Sequence, residues 1–170
     1  MQFFKETQMQ VNFWIAPTDV NLVPMENARR LVEEYFHNPE DLPDFGCETM
    51  RVHVFPRLTY IDGYDGYFPM MTIGCPNCLA AIPTTETWAQ ELHEHLVDEE
   101  ELDLDAYRVI TPCCSTDVSA LQLDFKGYGG FTRFAVELVD VSYEGSDKEL
   151  LDKAKKILGC DLRKIEIWYT

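Results

Sequence analysis

Four cysteines in two close groups are the residues of this chain best suited to chemistry: Cys75-Pro76-Asn77-Cys78 and Pro112-Cys113-Cys114. Four thiolates brought together from distant stretches are what a closed tetrahedral zinc site needs. Such a site staples a fold and leaves no position open for a substrate. The remaining two cysteines, Cys47 and Cys160, stand alone and read as small buried apolar residues rather than reactive thiols. Six cysteines in 170 residues are too few for a disulfide scaffold, and a cytosolic setting favours metal over bridges. A redox role for Cys75 and Cys78 weighs less. That chemistry wants the first cysteine at the start of a long helix, and here Pro83 follows closely behind Leu79-Ala80-Ala81-Ile82.

No catalytic constellation is legible. Ser115 and Asp117 follow the second cysteine group, and the tyrosines between Tyr60 and Tyr67 could line a pocket, but neither set brings a nucleophile together with a base. His93 and His95 lie two apart on one helical stretch, so they point to different faces and cannot chelate as an i, i+4 pair would. Either could still replace a missing fourth sulfur.

Charge narrows the partners. The chain holds 14 Lys and Arg against 30 Asp and Glu, a net charge of −16. Nucleic acid is repelled by such a surface unless a basic patch overrides it. Lys153, Lys155 and Lys156 make no such patch, because they share a short helix with Asp147, Glu149 and Asp152. A basic protein partner is more compatible. The densest acidic run, Asp98-Glu99-Glu100-Glu101 continuing to Asp103 and Asp105, reads plainly as a solvated helix end, or more sharply as a docking surface for such a partner. No apolar run is long enough for a membrane span, and the first residues lack the pattern of a secretory signal, so the cytoplasm is the expected location.

The elements that must carry these residues come as a repeat. Phe45-Gly46-Cys47-Glu48 leads into a strand ending at Phe55, and Leu158-Gly159-Cys160-Asp161 leads into one ending at Trp168. Each strand alternates apolar with polar residues, through Val52 and Val54 in one and Ile165 and Ile167 in the other. Before each lies a helical stripe, Ala28, Leu31, Val32, Tyr35 and Phe36 in one, Leu150, Leu151, Ala154, Ile157 and Leu158 in the other. Ser146 with Glu149 fits a capping box, and Gly159 a helix terminator. A strand precedes each helix, at residues 10–16 and 131–141. Two β-α-β halves in series resemble the ferredoxin-like fold, βαββαβ, an α+β architecture with one antiparallel sheet ordered 4-1-3-2 and both helices on one face. In that arrangement Trp14 and Trp168 share the uncovered face, as a dimer or partner surface.

Residues 1–57 and 127–170 thus form the core, and 58–126 an insertion too long to lack structure. Two Asp-Gly signals between Tyr60 and Phe68 predict a hairpin, a short strand leads into Cys75, Thr87 to Leu96 reads as a helix, and Tyr107 to Ile110 as a strand. The Cys75–Cys78 turn resembles a zinc knuckle, and the two cysteine groups together resemble a zinc ribbon with a departure. Thr111 stands where the second knuckle's first ligand belongs, Cys113 is its neighbour to Cys114, and Leu79 and Ser115 replace the glycine that commonly follows. The resemblance implies a structural zinc on Cys75, Cys78, Cys113 and Cys114. The chain also resembles uncharacterised bacterial proteins that pair Cys-Pro-x-Cys with a later Pro-Cys-Cys, which implies only a zinc-stapled α+β fold. The resulting expectation is a small acidic protein-binding module of inhibitor or immunity type, using Asp98, Glu99, Glu100, Glu101, Trp14 and Trp168. An enzyme with a pocket between sheet and insertion is the alternative.

Overall fold

The computed structural model describes residues 10–38, 40, 42, 45–63, 71–98, 103–143 and 146–169, with the side chains of all but Gln10, Val11, Asp98, Tyr143, Trp168 and Tyr169. In chain order the elements are β1 (Gln10–Pro17), α1 (Glu26–His37), β2 (Phe45–Gly46), β3 (Thr49–Asp62), β4 (Thr72–Gly74), β5 (Ala81–Pro83), α2 (Thr87–Asp98), β6 (Arg108–Ile110), β7 (Asp117–Ser119), β8 (Gly129–Val139), β9 (Ser142–Tyr143), α3 (Asp147–Leu158) and β10 (Leu162–Tyr169). The protein is α+β. Its long strands form one antiparallel sheet in the order β10-β1-β8-β3, and three two-stranded ribbons pair β2 with β9, β4 with β5 and β6 with β7. No helix among the described residues is long and apolar enough to cross a membrane.

Helical spacing explains why α1 and α3 lie where they do. Val32, Tyr35 and Phe36 on α1 and Leu150, Ala154 and Leu158 on α3 form single stripes. Both stripes bury against the same sheet face, which supplies Ile15, Phe134, Val136, Leu138 and Leu162. Cys47 and Cys160 pack at the margin of this core as apolar residues. Gly159 ends α3 in the left-handed conformation (φ 69°), its N–H donating to the Lys155 carbonyl at 2.8 Å. The expected capping box at Ser146 is not formed, since that side chain makes no capping hydrogen bond. Ser119 and Gln122 form one instead around the single 3₁₀ turn Ala120–Gln122.

The two Gly-Cys-acid junctions differ in geometry. Gly159 abuts its helix, whereas Gly46 sits in β2, well beyond the end of α1 and outside the left-handed region. The alternating apolar residues also take opposite faces. Val52 packs toward the helices, but Ile165 and Ile167 join Trp14, Phe55 and Ile61 on the other face. A shift of one residue moves a strand's apolar set across the sheet. On β10 that set follows a closure peculiar to the second half: the Glu166 N–H bonds the Gly127 carbonyl at 2.8 Å, and Gly63 lies so close to the Tyr128 and Glu166 carbonyls that a Cβ would stand 2.1 Å and 2.6 Å from their oxygens. Ile165 is therefore fully buried without helix cover.

β3 is longer than its sequence suggests. It continues through Pro56 to Asp62, so Tyr60 to Asp62 belong to the sheet and not to a hairpin. Residues 64–70 lie outside the described residues. The passage through proline is possible because the register shifts between Val54 and Thr59. Phe55 to Leu58 then face Arg133, whose N–H turns to the Val20 carbonyl at 3.0 Å while its guanidinium reaches the Pro56 carbonyl at 3.0 Å. Proline's missing N–H is harmless at such a bulge. Beyond it the β3–β8 ribbon serves a second core. Leu58, Tyr60 and Phe131 pack with Ile73, Leu92, Val118 and their neighbours.

Candidate metal centre

Two small ribbons present the cysteines. β4 and β5 flank the Cys75–Cys78 turn, and β6 and β7 flank the turn that begins at Thr111. The turns are built alike. The Cys75 N–H donates to the Ala80 carbonyl at 2.9 Å, and the Thr111 N–H to the Thr116 carbonyl at 3.0 Å. The Leu79 N–H reaches the Cys75 carbonyl at 3.1 Å, and the Ser115 N–H the Thr111 carbonyl at 2.8 Å. Leu79 and Ser115 hold φ values of 61° and 54°, the conformation glycine enters without steric cost. The frame around them is apolar. Ile73 and Val118 share one core with Ala89, Leu92 and Leu96 of α2, Ile82 is buried, Trp88 donates to the Ile110 carbonyl at 2.9 Å, and Gly74 bridges Asp124 through both backbone groups.

The four sulfurs converge. Cys75 Sγ stands 3.7 Å from Cys114 Sγ, Cys78 Sγ 3.3 Å from Cys113 Sγ, and all four lie within 4.8 Å of one another, with no disulfide among them. Four thiolates around one tetrahedral ion with metal–sulfur bonds of about 2.3 Å would be spaced by about 3.8 Å. The cluster therefore fits a metal ion held by Cys75, Cys78, Cys113 and Cys114, with no coordination position left for substrate. This is the one metal-sized cluster of cysteine, histidine or acidic groups among the described residues, and it includes neither histidine. His93 contacts Asp62 at 3.5 Å and the ring of Tyr60, and His95 bonds the Glu91 carbonyl at 2.7 Å.

Polar neighbours make the site asymmetric. Thr111, fully buried in the first-ligand slot of its turn, places its hydroxyl 3.2 Å from Cys114 Sγ. Thr116 lies 3.3 Å from the same sulfur, and the Asn77 amide donates to it at 3.5 Å. Hydrogen bonds to a thiolate favour the ionised form. Thr111 first, then Thr116 and Asn77, pull Cys114 down to about 5. Backbone N–H groups of Cys78 and then Asn77, outweighing desolvation, lower Cys75. Desolvation and the hydrogen bonds shared with Cys78 and Cys75 push Cys113 up to about 12. Four close thiolates cannot coexist without a counter-charge, so the protons divide unevenly until a cation replaces them.

Asn77 and Thr116 escaped the sequence reading. Thr111 was visible there in the slot where a ligand belongs, and the structure places its hydroxyl beside Cys114 Sγ. The sequence-predicted partner surface fares differently. Glu99, Glu100 and Glu101 lie outside the described residues, as does the side chain of Asp98 at the end of α2. Trp14 is on the face away from the helices, stacked on His53 with ring centroids 4.8 Å apart. The β10 residues packed with it on that face are Ile165 and Ile167. The Trp168 side chain is outside the described part. No protein-family model matches the chain, and no curated protein or solved structure matches it.

Proposed function

We propose that the protein is a small cytoplasmic protein-binding module of inhibitor or immunity type, stapled by one structural zinc ion and directed at a basic partner. The four-sulfur cluster carries the metal half of this reading. A closed, soft, tetrahedral donor set suits zinc, and bound there the ion supplies cohesion rather than a reactive water. Cys75, Cys78, Cys113 and Cys114 would hold it, with Thr111, Thr116 and Asn77 fixing the orientation of Cys114. The body is read as ferredoxin-like with a zinc-ribbon-like insertion over residues 58–126. The order β10-β1-β8-β3, the two helices on one face and the paired turns support it.

The partner half rests on the charge of −16. Exposed charge of one sign speeds encounter with the opposite sign and is screened within about 8 Å at physiological ionic strength. Elemental analysis of protein purified without chelator should give about one zinc per chain. Finding none, with four titratable thiols in the native state, overturns the metal reading. A basic protein captured from lysate should bind quickly and weaken steeply with salt. Replacing Glu99, Glu100 and Glu101 together by Gln should slow its association. Equal binding by that variant removes the basis for the partner.

A further inference from the structure

The four sulfurs of the metal centre are not equivalent. Cys75 is buried and Cys114 half-buried, whereas Cys78 and Cys113 are exposed. The exposed two are also neighbours, with sulfurs 3.3 Å apart, and those of Cys75 and Cys114 stand 3.7 Å apart. The cluster thus has an inner pair and an outer pair. Each pair joins the two turns, since Cys75 and Cys78 lie between β4 and β5 while Cys113 and Cys114 lie between β6 and β7.

The outer pair follows from the departure in the second turn. Cys75 opens the first turn and Thr111 opens the second in the same hydrogen-bonded position, and both are buried. A cysteine at 111 would be a second inner ligand. The fourth sulfur comes instead from Cys113, which is exposed, while the hydroxyls of Thr111 and Thr116 and the Asn77 amide address Cys114. Access decides which thiolate an oxidant meets. A bound zinc ion keeps its sulfurs deprotonated, so the two that face solvent are thiolates lying side by side. A disulfide needs a separation of about 2.05 Å, so the outer sulfurs have to close by roughly 1.2 Å.

We propose that Cys78 and Cys113 are an oxidation site: hydrogen peroxide converts the pair to a disulfide across the two turns, which takes two of the four ligands from the zinc ion and releases it. This regulation rests on the zinc reading above. One outer thiolate attacks the peroxide; an S–O bond forms, the O–O bond breaks, and hydroxide leaves. The other outer thiolate attacks the sulfenic sulfur; the S–S bond forms, the S–O bond breaks, and a second hydroxide leaves. Each hydroxide takes a proton from solvent and becomes water. Two electrons pass from the sulfurs to the peroxide. Cys75 and Cys114 alone no longer close a tetrahedron around the ion. A dithiol reductant exchanges the bridge back to two thiols, and zinc rebinds.

Zinc-loaded protein treated with hydrogen peroxide in the presence of a chromophoric zinc indicator tests it, with the first bridged product mapped by mass spectrometry after alkylation of the remaining thiols. Zinc should be lost in step with the bridge, about one ion for each bridge formed. The bridge should join Cys78 to Cys113 and leave Cys47, Cys75, Cys114 and Cys160 alkylated. Dithiothreitol with added zinc should restore the metal content. Combining Thr111→Cys with Cys113→Ser moves the fourth sulfur from the exposed position to the buried one; that variant should bind zinc and release it to peroxide about ten-fold more slowly. A first bridge that includes Cys75 or Cys114, a bridge formed with the zinc retained, or release from the double variant as fast as from the parent overturns the proposal. Protein that carries no zinc before peroxide is added overturns the metal reading by itself. A Cys78–Cys113 bridge in that protein would still uphold the oxidation site, and its absence would overturn the site as well.

Discussion

The helix-covered body and the cysteine lobe solve the same problem with different means. In the body, long strands and two helices enclose Ile15, Phe134, Val136 and Leu138, none of which retains any exposure. In the lobe, β4, β5, β6 and β7 are three residues each, and isolated ribbons of that size are marginal in water. α2 and the far end of the β3–β8 ribbon supply a core, but the turns at its rim hold exposed Cys78 and Cys113 and a Leu79 that is 84% exposed. Apolar area holds the body; the rim of the lobe gathers four sulfurs that could hold a metal ion. A small region gains from a cross-link where it cannot gain from burial.

The sharpest way to break this contrast is to remove the bridge. Structural thiolate sites of this type supply roughly 10–16 kcal/mol of apparent binding energy at neutral pH. Chelation, or Cys78→Ser, should strip exchange protection from residues 72–83 and 108–119 while β1, β8 and β10 keep theirs. One shared melting transition for both regions would show that they are not separable. The complementary lesion is Phe134→Ala. Truncating a fully buried phenylalanine costs about 3–5 kcal/mol, so the body's transition should fall sharply while metal content per folded chain is unchanged.

Thr111→Val probes the polar support of the cluster at nearly constant volume. Loss of an outer partner typically weakens metal affinity about 10–100-fold, which competition with a chromophoric chelator would read. The variant also has a pH signature in the metal-free protein. Cys114 sits at about 5 against an ordinary 9.0, so its contribution to stability is complete above pH 9 and is lost as the pH falls toward 5. Cys113, raised to about 12, acts oppositely and withdraws stability as the pH climbs from 9. Thr111→Val should flatten the slope between pH 5 and 9 in denaturant titrations and leave the alkaline limb intact. A slope identical to the parent's would mean that Thr111 does not tune Cys114. The smallest effect is expected at the strained turns. Leu79→Gly relieves a left-handed conformation at a cost in chain entropy, for a net gain of about 0.5–1 kcal/mol confined to the lobe's transition.

Much of this was readable before the structure. The apolar stripes of α1 and α3, the terminator Gly159 and the four cysteines each follow from residue type and local spacing, because helix period, left-handed glycine and thiolate softness act within a few residues or need only counting. The acidic balance was equally plain, though the run it pointed to falls mostly outside the described residues. The continuation of β3 past Pro56 was hidden, since a proline reads as a stop unless the partner strand's Arg133 is known to turn aside.

Alternation in the sequence determined that β3 and β10 have an apolar side, and the cysteine spacing determined that a metal-sized sulfur cluster could form. Tertiary structure decided which side each strand buries, sending Val52 toward the helices and Ile165 toward the opposite face. It also put Cys113 rather than a histidine in the sulfur cluster and gave Thr111 its place beside Cys114. The physical reason is range. Periodicity and donor type are properties of neighbouring residues, whereas strand register, closure and the satisfaction of a buried polar group depend on partners dozens of residues away.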